Sequence, residues 1–111
     1  MKLEDSPQLT SAEVIDVPDQ ARFELRVDER LVGILSYQQS CQVRSLMHTV
    51  VVEHYGDRGW AAVLVRGALD RSAAEGWTIE PVCTYVQRFL GSNTEYLDLL
   101  ADQSSSTITG A

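Results

Sequence analysis

The 111-residue chain predicts an α+β fold. The expected form is a mixed, mostly antiparallel sheet with a central helix after the fourth strand and a short C-terminal helix. Three observations lead there. Alternating and β-branched runs dominate residues 22–52, an amphipathic helical stripe follows at 61–69, and a further strand with short helical segments closes the chain.

The elements follow in order. Residues 1–20 carry Glu4, Asp5, Glu13, Asp16 and Asp19 together with Pro7 and Pro18, and read as an acidic, flexible leader. In ARFELRV, Phe23, Leu25 and Val27 fall on one face and Arg22, Glu24 and Arg26 on the other, the mark of a half-buried strand. Asp28-Glu29-Arg30 makes a turn, and LVGILSY resumes as the second arm of a hairpin. CQVRSL reads as a third strand, with Cys41 packed in it. MHTVVV, nearly continuous and β-branched, reads as a fourth strand buried on both faces.

Ala61, Leu64, Val65, Ala68 and Leu69 recur at helical spacing, and Gly76 is the expected stop. WTIEPV is a short strand, CTYVQRFL a short helix, and EYLDLLA a last helical turn or two. The polar tail SSSTITGA frays. The expected organisation is a leader at 1–20, one folded domain at 21–101 and a flexible tail at 102–111. A chain of this length forms one domain with a modest core.

Composition narrows the function classes. The net charge of −7 argues against a nucleic-acid backbone as the partner. Lys2 is the only lysine. The start, MKLEDSPQLT, lacks the apolar core of a signal peptide, and no apolar run reaches the ~20 residues that a membrane span needs. The expected location is the cytoplasm, where thiols stay reduced, so a Cys41–Cys83 disulfide is disfavoured. Two histidines and two cysteines have no zinc spacing, and no metal is expected. A Cys83–His48 protease pair lacks an orienting third group.

The stretch GDRGWAAVLV, residues 56–65, asks for more than a capping residue. A strand, a glycine-containing turn and a helix start form an anion site, because the first helical N–H groups have no partners within the helix and the dipole there is positive. Glycines let a phosphate approach the backbone, and Arg58 adds charge. A bare structural turn is the competing reading. The stretch is not a P-loop, since no Gly-Lys-Ser/Thr follows, and not a dinucleotide fingerprint, since the third glycine is missing.

The wider segment, from His48 to Val86, resembles the GNAT superfamily of N-acetyltransferases, and within it the short single-domain, YjdJ-type branch. His48-Thr49, Val51, Arg58-Gly59, Ala61, Pro81 and Cys83 carry the likeness. Upstream RFELRVDERLVGILSY resembles the opening hairpin and downstream EYLDLL the closing segment, so the likeness spans about residues 22–100. Four positions depart from the pattern. Val50 stands where relatives often carry an acid and Val52 where proline is common. Asp57 replaces a glycine of the turn, with Gly56 one place early, and Asn93-Thr94 replaces His-Pro.

The resemblance implies acetyl-CoA in a cleft between MHTVVV and WTIEPV. Its pyrophosphate would rest on the turn and helix start, Gly56, Asp57, Arg58, Gly59, Trp60 and Ala61, and its pantetheine arm on the backbone of Val51. The implied reaction is attack of a neutral amine on the thioester, which needs an oxyanion donor, a base and an acid.

Cys83, at a helix start, is the candidate acid or acetyl acceptor, and a buried small hydrophobe is the bland alternative. His48 is the second catalytic candidate, against a hydrogen-bonded core histidine. Glu53 is the nearest acid after the strand, and both it and His54 read more simply as solvated loop. Trp60 reads as a core anchor, with cover for the adenine as the alternative. The expected partners are acetyl-CoA and an unidentified amine, with the protein a monomer or weak dimer. The alternatives are a non-catalytic CoA-binding module and a protein-interaction domain with a degenerate cleft.

Overall fold

A computed structural model describes residues 11–52 and 59–100. Five strands form one sheet in the order β1-β2-β3-β4-β5: β1 Ala12–Val17, β2 Arg22–Val27, β3 Arg30–Ser40, β4 Val43–Val51 and β5 Thr78–Pro81. The first four pair antiparallel, and β5 runs parallel to β4. Helix α1, Trp60–Ala74, makes the crossover between β4 and β5. Helix α2, Thr84–Ser92, follows β5, and a 3-10 segment covers Thr94–Leu99. The α+β class and the helix order stand as the sequence implies.

Two strand assignments need correction. Residues 12–17, expected to be flexible leader, form edge strand β1, with Asp16 opposite Phe23 and Val14 opposite Leu25. Asp16 is tolerated facing the core because the Tyr37 hydroxyl donates to its carboxylate at 2.6 Å and Arg44 lies 3.8 Å away. CQVRSL and MHTVVV are not two strands but one. Cys41 and Gln42 form the hairpin turn before β4, both with positive φ (52° and 70°), so Cys41 is exposed and not packed in a strand. Asp28 and Glu29 make the equivalent turn before β3. Positive φ at both central residues matches the right-handed twist of the flanking strands. The count of four strands before the central helix is therefore right, with β1 in the place of the strand lost by the merger.

The core lies between the sheet and the helices. Phe23, Leu25, Leu35 and Leu46 pack with Leu64, Val65, Ala68 and Leu69 of α1, and Ile79, Val86 and Phe89 close the far side. Each such aliphatic side chain contributes about 1.5–3 kcal/mol on burial. Helix α1 stops where expected: Gly76 takes φ 84°, its N–H donates to Ala73 O, and Trp77 N–H donates to Ser72 O, which satisfies the last carbonyls.

Arg44 is buried beside that end of the helix. It donates to Gln39 Oε1 and Ser72 Oγ and stacks over the rings of Phe23, Tyr37 and Trp77. Trp77 thus serves as packing, as does Trp60, half-buried against the core.

Candidate active site between β4 and β5

The site arises from a register change in β4. Tyr37 pairs with Leu46 and Ser36 with His48, which leaves Met47 as an extra residue. Beyond this bulge Val52 N–H donates to Val32 O at 2.8 Å. Antiparallel pairing alternates, so the main-chain groups of Val50 and Val52 face β3 while those of Thr49 and Val51 face the opposite edge.

On that edge β5 has already turned away. Its pairing with β4 ends at Leu46 opposite Pro81, and the N–H groups of Val82 and Cys83 both donate to Leu46 O, at 3.1 and 2.9 Å. Past Leu46 the two parallel strands diverge. A V-shaped opening results, with the main chain of Thr49 and Val51 on one arm and Cys83 at the root of the other.

Cys83 caps α2 at its N-terminus, with extended backbone (ψ 130°). Its Sγ lies 3.3 Å from Thr49 Oγ1, across the opening. Burial pushes the thiol up, but hydrogen bonds from the Thr49 hydroxyl and from the backbone N–H groups of Val86, Tyr85 and Thr49 outweigh it. The Cys83 thiol therefore sits below its ordinary value. Both cysteines are free.

The remaining sequence candidates divide. Val51 lies in the open arm, and its side chain packs near Gly33 and Leu64 beneath α1. A Cβ on Gly33 would lie 3.0 Å from Val50 O, so a glycine is needed for the strands and helix to close there. Gly59 is the N-cap of α1 with φ 80° and no side-chain cap. The first intrahelical bond is Val63 N–H to Gly59 O at 3.3 Å, so the N–H groups of Trp60, Ala61 and Ala62 have no acceptor within the helix. Gly56, Asp57 and Arg58, with Glu53 and His54, lie outside the described residues.

His48 is exposed and not a core residue. It precedes Thr49 in the strand and pairs with Ser36, so its side chain leaves the opposite face of the sheet from that of Thr49. The expectation that MHTVVV is buried on both faces fails for the same reason: Val50, on the His48 face, is 57% exposed.

Thr49 is the residue that sequence reasoning left without a role. It stood within the His-Thr-x-Val likeness, but its partner is 34 positions away. Asn93, at a departure from the family pattern, holds two elements together, since it accepts from Arg66 and donates to Phe89 O. Among the described residues, no group of three or more His, Cys, Asp or Glu side chains is arranged to hold a metal, and no helix is long and apolar enough to cross a membrane.

Comparison with known proteins agrees with this geometry. The family model described as GCN5-related N-acetyl-transferase matches residues 22–99, from the start of β2 to the end of the 3-10 segment and without β1. No curated protein matches the chain. A parallel pair that opens beside a helix start, inside a match spanning well over half of the sequence, leads to one conclusion: the chain belongs to the GCN5-related N-acetyltransferase family.

Proposed function

We propose that the protein is an acetyl-CoA-dependent N-acetyltransferase acting on an amine. The observation that carries the reading is the open edge of β4. The bulge at Met47 turns the N–H and C=O of Val51 away from β3, beside a strand that has diverged, and the first N–H groups of α1 have no acceptor within the helix. These features fit an extended amide-bearing arm ending in a pyrophosphate: Val51 would pair with the arm, and the N–H groups of Trp60, Ala61 and Ala62 would hold the phosphates.

Acetyl-CoA, when bound, supplies an acetyl group activated as a thioester. The main chain of Val51 would pair with the arm and orient it along the open edge of β4. The Cys83 thiol gives its proton to the departing sulfur, a transfer favoured by the donors that stabilise the anion left on Sγ. The attacking amine would give its proton to water at the open edge, because the His48 side chain leaves the sheet on the face opposite Thr49 and Cys83. The cytoplasm is the proposed site of action.

The second reading is a CoA-binding module without catalysis, or an interaction domain with a degenerate cleft. It draws on Val50, an exposed aliphatic side chain where relatives carry an acid. An amide NMR titration with acetyl-CoA is the first test. The proposal expects Gly59, Trp60, Ala61, Val51 and Cys83 to shift together and saturate. No movement at millimolar ligand removes the reading. Saturation without conversion of acetyl-CoA to CoA across an amine panel selects the non-catalytic module.

A further inference from the structure

We propose that Thr49 is a positioning residue, which holds the Cys83 sulfur at the root of the β4–β5 opening and stabilises it as an anion through its hydroxyl. The inference deepens the proposed acetyl transfer and takes the role of Cys83 from it, but the contact itself stands on geometry. Thr49 Oγ1 and Cys83 Sγ are 3.3 Å apart, within hydrogen-bond reach for sulfur. They come from the two strand arms that diverge past Leu46, so this contact spans the opening where no ladder bond does. The bulge at Met47 is what makes it possible. It turns the Thr49 main chain toward Cys83, and strand alternation then sends the Thr49 side chain to the face opposite His48.

The surroundings set the hydroxyl apart from the other donors. Cys83 is followed directly by α2, whose N–H groups at Tyr85 and Val86 also reach the sulfur. Among the described residues, the leading causes of the Cys83 shift include no charged side chain. On β4, His48 projects from the other face. On β5, Glu80 accepts from Ser45 Oγ at 2.7 Å. On α2, Tyr85 is the nearest ionisable side chain in sequence, and the first turn of α1 carries no acid.

The leading influences on the thiol are thus burial and uncharged donors, not a neighbouring cation. Cysteine pKa values fall at helix starts, beside basic residues or metals, and in Cys-X-X-Cys motifs. Here a β-branched hydroxyl, fixed at χ1 by its strand, supplies the side-chain donor. The same hydroxyl keeps the sulfur in one place as the proton leaves, which a mobile thiol would not achieve.

The test is the pH profile of Cys83 alkylation by iodoacetamide, measured without acetyl-CoA in a Cys41→Ser background so that one thiol reacts. Thr49→Val keeps the shape and removes the donor; Thr49→Ser keeps the donor and removes the methyl group. The proposal expects Thr49→Val to move the profile upward by about half a unit to one unit, and to slow alkylation near neutral pH by about three- to tenfold. Thr49→Ser should retain the parent profile.

An unmoved profile in Thr49→Val overturns the proposal. So does a Thr49→Ser profile that follows Thr49→Val, since packing and not the hydroxyl would then be responsible. The profile does not depend on acetyl-CoA binding. Failure of the acetyltransferase reading would leave an upward shift intact, whereas failure of the Thr49 assignment would leave acetyl-CoA binding intact.

Discussion

At the scale of single residues, Cys83 is defined by the uncharged donors that touch it. Its sulfur is half-buried and meets a hydroxyl and backbone N–H groups. Neutral donors favour the anion without creating a charge pair that must be dismantled when the proton returns. Cys83→Ala should therefore lower acetyl transfer by about a hundredfold, the low end of what one positioned acid contributes. Acetyl-CoA affinity, read by the same amide titration, should stay close to the parent value if Val51 and the start of α1 hold the ligand as proposed. Unchanged turnover would remove Cys83 from the mechanism and leave water to protonate the leaving sulfur.

At the scale of elements, β1 and α1 approach closely at Gly67. A Cβ built on Gly67 would lie 2.6 Å from Val14 Cγ2 and 2.7 Å from Val14 Cβ. The Val14 stem cannot move without shifting β1, so the helix accepts glycine at a position where its propensity favours alanine by about 1 kcal/mol. Gly67→Ala should cost about 1–3 kcal/mol in urea unfolding, as overpacking outweighs propensity. Gly67→Ala combined with Val14→Gly, which removes the Cβ at 2.7 Å as well as the methyl groups, should recover part of that loss relative to the sum of the two single changes. Strict additivity would mean that β1 does not rest on α1.

The same crossing shows where the sequence was readable. The stripe Leu64, Val65, Ala68 and Leu69 faces the core as its period requires, and Gly76 ends the helix by taking a left-handed conformation. Cys83 begins α2 as read. Strand β1 was hidden by composition: its acids and the prolines nearby suggested a solvated leader, although Val14 and Asp16 share one face and Ile15 and Val17 the other. What licenses an inward acid is a tyrosine 21 positions later, and nothing local announces such a partner. The turn at Cys41-Gln42 was hidden because neither residue is a usual carrier of positive φ. With that turn unseen, Val43–Val51 divided into two strands. The bulge at Met47, which opens the site, is a property of the pairing and has no signature in β4 alone.

Across the whole molecule, one buried polar network ties the edge strand to the sheet and to the far end of the central helix. Tyr37 donates to Asp16 on β1, and Arg44 on β4 lies 3.8 Å from Asp16 and 3.6 Å from Glu75 while it donates to Ser72 on α1. The Tyr37 hydroxyl is pushed up to about 12 by burial first and then by its bond to Asp16 and the charge there. A raised value means that the folded state prefers the protonated phenol. This contribution is fully present below pH 10, the ordinary value for the unfolded chain, and is lost as pH rises from there toward 12.

Tyr37→Phe should cost about 1–2 kcal/mol at pH 8, because the Asp16 carboxylate loses its donor and keeps only the more distant Arg44. Between pH 9.5 and about 11.5 the stability of the parent should fall toward that of the variant, whose own curve lacks this component. Parallel curves across that range would show that the phenol keeps its unfolded value.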